Sequence, residues 1–211
     1  MKATELVRGS FSHGWATFMR RPWFAIGSVI AVFAISALSG AIAQAVAGDG
    51  VSGLAALVNI LDLFVVQILV SMGLIAWSLK STANIESVRF NDLWAPHAYW
   101  RYLGSSILVM LIEIIGFVLL VIPGIIASVF LLFVPFIVIE RGTGPIEAIK
   151  ASFEMVKGNF WGVFLFMLAA LAVNIVGMMF FGVGLLLTIP VTVIAIAHLY
   201  RTLSSMPNGM Q

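Results

Sequence analysis

Along this chain apolar residues run in blocks too long for a soluble core, and short polar segments separate the blocks. Residues 23 to 47 and 53 to 79 are two such runs. At about 1.5 Å per residue, each is long enough to cross a hydrocarbon layer about 30 Å thick as a helix. The block from 98 to 139 holds two more crossings, and the block from 160 to 200 divides at Gly182 and Gly184 into the last two. The pattern predicts an all-α polytopic membrane protein with six transmembrane helices arranged as three hairpins. The first turns in the breaker-rich "GDGVSG", Gly48 to Gly53. The second is expected to turn near Gly116, with Pro123 inside span four, because "LLVIP" at 119 to 123 returns as "LLTIP" at 186 to 190, where Pro190 lies well inside span six. That turn leaves span three with about 18 residues and span four with about 23, both long enough to cross.

The polar segments have a pattern of their own. In "TGPIEAIKASFEMVKG", 143 to 158, Ile146, Ile149, Phe153 and Val156 recur at helical spacing, while Glu147, Lys150, Glu154 and Lys157 share the opposite face. Residues 3 to 19 read alike, with Leu6, Val7, Phe11, Trp15 and Phe18 as the apolar stripe. "ELVRGSF" (Glu5 to Phe11) matches "EAIKASF" (Glu147 to Phe153). A looser copy is expected over 84 to 101, rich in interfacial aromatics such as Phe90, Trp94 and Trp100 and broken at Pro96. Each hairpin is thus preceded by a cytoplasmic interfacial amphipathic helix. The chain reads as one integral membrane domain of three units, 1–83, 84–140 and 141–211.

Composition sharpens this picture. Of 211 residues 62% are hydrophobic and 9% charged, against about 25% charged in a soluble domain, so the bilayer has to be the solvent. All 11 Lys and Arg residues fall before span one, between spans two and three or four and five, or after span six; the opposite turns hold only Asp49 as a charge. The positive-inside rule then puts both termini in the cytoplasm of a multi-pass protein of the cell (inner, cytoplasmic) membrane. No cleavable signal peptide is expected, because Lys2, Glu5, Arg8, Arg20 and Arg21 fall within the first 21 residues. With no cysteine and a net charge of only +2, thiolate chemistry is excluded and nucleic acid is not a partner.

Ionisable and amide groups inside spans are functional candidates by default. Asn59, Asp62, Glu113 and Asn174 all fall in the outer halves of their spans and form a candidate intramembrane polar cluster. The functional reading is a cavity open to the outer side, with Asp62 and Glu113 as proton or cation ligands. The favoured reading is plainer: Glu113 reaches the outer interface, Asp62 is a hydrogen-bonded packing residue, and the asparagines are interhelical glue. His13, His97 and His198 have no metal-ligand spacing, so no metal or other cofactor is expected.

Phosphate loops, His-Glu-x-x-His, nucleophile elbows and paired cytoplasmic carboxylates are all missing from the sequence, which makes an enzyme the weakest class. The leading expectation is a non-catalytic membrane protein that binds lipid or a membrane partner, either itself or another membrane protein, in an assembly, regulatory or membrane-organising role. Arg20, Arg21, Lys150 and Lys157 are its candidate anionic-lipid contacts. The alternative is a small transporter or channel that uses the outer polar group.

The stretch "IPGIIASVFLLFVPFIVIERGTGPIEAIKASFEMVKGNFWGVF", Ile122 to Phe164, carries a resemblance. Its Pro-Gly in an apolar run, second Pro twelve residues on, acidic residue closing the span, "EAIKAS" and Asn-aromatic-Trp entry are similar to one group of bacterial and archaeal polytopic proteins. That group includes the membrane domain of glycerophosphoryl diester phosphodiesterases and several uncharacterised six-helix families. The likeness covers mainly residues 70 to 203 and implies a shared architecture. The chemistry of those phosphodiesterases belongs to a separate soluble domain, to which nothing in these residues corresponds.

Overall fold

A computed structural model describes residues 3–47, 53–93, 98–179 and 182–206, whose regular structure is helical throughout. Helix α1 (Ala3–Arg20) leads into α2 (Pro22–Ala47). Next come α3 (Gly53–Leu61), a π-helical stretch (Asp62–Gln67) and α4 (Ile68–Asn84). Helices α5 (Tyr99–Leu119), α6 (Val121–Leu131) and α7 (Val134–Arg141) follow, then α8 (Pro145–Lys157), α9 (Phe160–Met179) and α10 (Leu185–Ser204). Among the described residues six stretches are long and apolar enough to cross a membrane: Pro22–Val46, Ala55–Ser87, Tyr99–Leu119, Val121–Arg141, Phe160–Met179 and Leu185–Ser204. The first expected turn lies, apart from Gly53, outside the described residues.

The turn between spans three and four is at Leu120, not near Gly116. Leu120 alone is extended there (φ −169°, ψ 154°), and the spans on either side are equal at 21 residues. Pro123 sits in the first turn of α6, where backbone N–H groups have no helical partner and a missing one costs nothing. Pro123 thus lies inside span four, as the comparison with Pro190 predicts, but shallower than Pro190, which is in the second turn of α10. Gly116 has a different task. A Cβ there would come within 3.0 Å of the Gly124 Cα, and one on Gly124 would strike the Phe117 ring at 2.5 Å. The same device recurs at the next turn, where a Cβ on Gly184 would lie 2.4 Å from the Gly177 carbonyl oxygen. Glycine facing glycine beside each turn lets the two helices approach backbone to backbone.

The polar connectors close a cycle. Residues 85–93 seat on the pair that precedes them. The Arg21 guanidinium, at the start of α2, donates to the carbonyls of Ile85, Glu86 and Val88 (3.0, 3.1 and 3.1 Å), Phe90 packs on Phe24, and Lys80 of α4 pairs with Asp92 at 2.7 Å. Helix α8 seats on α5, α6 and α7, the pair that precedes it. Helix α1 seats on α9 and α10.

One expectation about these connectors fails. Over 84 to 93 no α-helix forms beyond Asn84; the segment makes two 3₁₀ turns, Ile85–Ser87 and Phe90–Leu93, while 94 to 97, with Trp94, Pro96 and His97, lie outside the described residues. Local side chains take the backbone donors a helix would use, as the Asn84 amide oxygen accepts the Glu86 N–H and the Asp92 carboxylate accepts the Arg89 N–H. The apolar stripes of α1 and α8 are divided between the bundle and the surface. Helix α1 buries Leu6, Ser10, Gly14, Thr17 and Phe18 but exposes Trp15, and α8 buries Ala148, Ser152, Met155 and Val156 but exposes Ile146 and Phe153. Small residues face the bundle because the helices lie close to it. Larger ones lie at the flanks, where Phe11 stacks on Phe166 at 5.0 Å and Phe153 on Phe130 at 4.4 Å.

Burial is concentrated near these connectors. Val134, Phe136, Ile137 and Val138 of α7 and Leu199, Tyr200 and Leu203 of α10 are buried, with Phe133 and Phe136 packed around the Tyr200 ring. At the far end, Val118 to Ile122 are all exposed.

Candidate functional site

The basic residues near the connectors divide by what they touch. Arg21 is committed to its three carbonyls and stacks over Phe24 at 4.3 Å, so of the four candidate lipid contacts it is held within the fold. Arg101 donates to the Gly142 carbonyl, tying the start of α5 to the end of α7, and Arg201 lies 3.7 Å from Glu140. Burial raises the Asp92 carboxyl, but hydrogen bonds from Lys80 and the Arg89 N–H, with the charges of both, outweigh this and hold it below the ordinary carboxylate value.

The other three candidates, Arg20, Lys150 and Lys157, are exposed. Lys157 borders a recess of about 390 Å³ that Asn159, Phe160, Trp161, Ala3 and Leu6 also line. Trp161 beside it is 69% exposed, and the Asn159 amide nitrogen has no hydrogen-bond partner. Sequence reasoning named Lys157 but missed this recess, because Ala3 and Leu6 of its wall come from α1, more than 150 residues away in the chain.

Two of the three histidines meet across helices. His13 of α1 and His198 of α10 stack face to face, 4.0 Å between centroids and 14° between planes. Burial, and then the Arg20 charge, holds His13 below its ordinary pKa of 6.5, against a hydrogen bond with the Thr82 backbone that pulls it upward. Among the described residues no group of three or more His, Asp or Glu side chains has metal-site geometry.

Three of the four intramembrane candidates find hydrogen-bond partners, each in a different place. The exposed Asn59 gives its amide to the Ala55 carbonyl of its own helix (2.9 Å). Asp62 opens the π-helical stretch and accepts from the Gln67 amide at 3.3 Å; Gln67 also accepts from Ser36 (3.2 Å) and donates to Ser39 (3.4 Å), which joins the first two spans. Asn174 donates to the Ala170 carbonyl (2.8 Å) and across to the Thr192 hydroxyl (3.1 Å), joining α9 to α10.

Glu113 stands apart. Because the turn is at Leu120, it lies seven residues, about 10 Å of helix, short of that turn. It lines a cavity of about 180 Å³ with Tyr102, Ser105, Ser106, Val109 and Met110 of α5 and Val134 and Pro135 of α7. The signal was available in the sequence, since 102, 105, 106, 109, 110 and 113 mark one helical face. Its opposite wall was not, because it depends on α6 ending at Leu131 and α7 starting at Val134.

Six apolar crossings, basic residues gathered near the connectors and polar groups paired between spans define a helical multi-pass membrane protein. Residues 17–206 match the family described as "Protein of unknown function (DUF975)", and the chain belongs to that family. It is also 30% identical over 153 residues to "Uncharacterized protein Rv2560" of Mycobacterium tuberculosis and to "Uncharacterized protein Mb2590" of Mycobacterium bovis. Each match covers 72% of this chain and 47% of the relative, so the chain spans about half the length of these curated relatives. No solved structure matches it significantly.

Proposed function

We propose that this chain is a non-catalytic protein of the cytoplasmic membrane, built as three hairpins with both termini in the cytoplasm, which holds anionic lipid headgroups at its basic end. The observation that carries this reading is the recess at Lys157. A cation, an amide donor without a partner and an exposed tryptophan border one opening where a span meets its connector. A phosphodiester with its acyl chains alongside fits that chemistry. The amphipathic faces of α1 and α8 support it, since they turn Arg20 and Lys150 outward. The role is structural or organising, and the likeness of Ile122–Phe164 to the membrane domain of glycerophosphoryl diester phosphodiesterases fits an architectural part.

At about 1 kcal/mol for each basic residue beside an anionic surface, Arg20, Lys150 and Lys157 together contribute about 3 kcal/mol, roughly a hundredfold in affinity. The test is phospholipid copurifying in mild detergent, measured by mass spectrometry, for the parent chain and for a variant with Arg20→Gln, Lys150→Gln and Lys157→Gln. The variant is expected to lose most of its anionic lipid and keep its zwitterionic lipid; equal retention of anionic lipid overturns the reading. A second reading, a small transporter, is favoured by the interruptions inside two spans, the π-helical stretch at Asp62–Gln67 and the break between α6 and α7.

A further inference from the structure

The cavity at Glu113 has no part in headgroup binding, and its chemistry points elsewhere. A carboxylate within the span of a membrane helix is costly to keep charged unless a counter-charge meets it. None of the side chains lining this cavity is basic. Of the basic residues on helices packed against α5 and on α5 itself, Lys80 is paired with Asp92 and Arg101 is bonded to Gly142; Arg141, Lys150 and Lys157 also lie in or beside the connectors. The α5 connector end, at Arg101, is about 18 Å of helix from Glu113.

The cavity does offer oxygen. Ser105, buried, gives its hydrogen to the Tyr102 carbonyl (2.8 Å), and the Tyr102 hydroxyl gives its own to Ser71 (3.2 Å), so both oxygens keep lone pairs for a further partner. Ser106 adds a third hydroxyl. Opposite them the fourth span is interrupted at Leu132–Phe133, and Pro135 has no N–H to return to the Leu131 carbonyl. One negative carboxylate, several neutral oxygens and an interrupted helix are what a hard cation of single charge requires. The volume, about 180 Å³, admits such an ion with several waters, each taking roughly 30 Å³.

We infer that Glu113, with Ser105, Ser106 and Tyr102, forms a binding site for an alkali cation within the membrane-spanning part of the fold. The inference is independent of the headgroup reading, because it concerns binding alone and is tested in detergent without added lipid. The full chain is titrated with sodium chloride while choline chloride holds ionic strength constant, and the melting temperature is followed by tryptophan fluorescence. Sodium is expected to raise it saturably. Glu113→Gln, which keeps the shape of the side chain and removes its charge, is expected to abolish the rise, and Ser106→Ala to weaken the apparent affinity at least threefold. Asp62→Asn, at the other intramembrane carboxylate, is expected to leave the rise unchanged. Absence of any sodium-specific rise in the parent chain overturns the assignment, as does a rise that survives in Glu113→Gln or is lost equally in Asp62→Asn.

Discussion

The seam between α1 and α10 makes a demand that substitution can measure. At Gly14 a Cβ would stand 2.7 Å from the Val191 carbonyl oxygen, 3.1 Å from the Ala195 Cβ and 3.2 Å from the Ala195 nitrogen. All three atoms are backbone or Cβ, so no rotamer change on α10 makes room. The helices have to separate by several tenths of an ångström, and His13, stacked on His198 one residue away, moves with them. Overpacking of this kind costs about 1–3 kcal/mol. Replacing glycine by alanine inside a helix returns about 1 kcal/mol in propensity, so Gly14→Ala should be destabilising by about 0–2 kcal/mol. Gly9 is the internal control, because it lies on the same helix and a Cβ there meets nothing within 4 Å. Gly9→Ala gains the propensity term without the collision.

The two alanine variants should therefore differ by about 1–3 kcal/mol, or about 2–12 °C in melting temperature at the scale of a 150–250-residue domain. The chain holds six tryptophans and no cysteine, so intrinsic fluorescence of the detergent-solubilised protein is the suitable readout. If Gly14→Ala melts at or above Gly9→Ala, the close seating of α1 on α10 is wrong.

Two further outcomes follow from the connectors. Arg21→Gln removes the fork that holds 85–88, and with one of its three bonds in an exposed setting the loss is expected at about 1.5–3 kcal/mol; a variant as resistant as the parent to proteolysis between 85 and 93 refutes the clamp. His13 binds its proton less readily in the folded state than at its ordinary pKa of 6.5. In the window just below 6.5 the unfolded chain therefore carries more protons, and stability must fall as pH drops through that window and stay level above it. Melting at pH 7.5 and 5.5 should show this fall, and His13→Gln should reduce it; an equal fall in both proteins places its origin elsewhere.

The spans were legible because hydrocarbon thickness imposes a length that composition cannot disguise. The turn at Leu120 was harder to read, because every residue from Phe117 to Ile122 is apolar and a single extended residue reverses the chain. Periodicity found α1 and α8 but not which of their residues press on the bundle. Close packing of helices selects small ones there, among them Ser10, Gly14, Ala148 and Ser152. At Glu113 the residue was visible and its surroundings were not. Three of the four intramembrane candidates turned out to have hydrogen-bond partners, and two of those partners, Gln67 and Thr192, carry no charge to draw the eye.

The doubled phrase gains its meaning from the cycle of connectors. In both copies the serine is pressed into the bundle, and Ser152 donates to the Phe130 carbonyl of α6 at 2.6 Å. In a polar-poor interior that bond pins α8 just before the fourth span breaks at Leu132. Ser10 occupies the same register on α1, beside the last pair. Residues 85–93 and α8 thus close over the helices before them, while α1 closes over α9 and α10, far along the chain. The buried face of α1 therefore finds its partners only once those two helices are in place. The α1–α10 seam, with Gly14 and the stacked histidines in it, is therefore the contact on which the assembled state depends most directly.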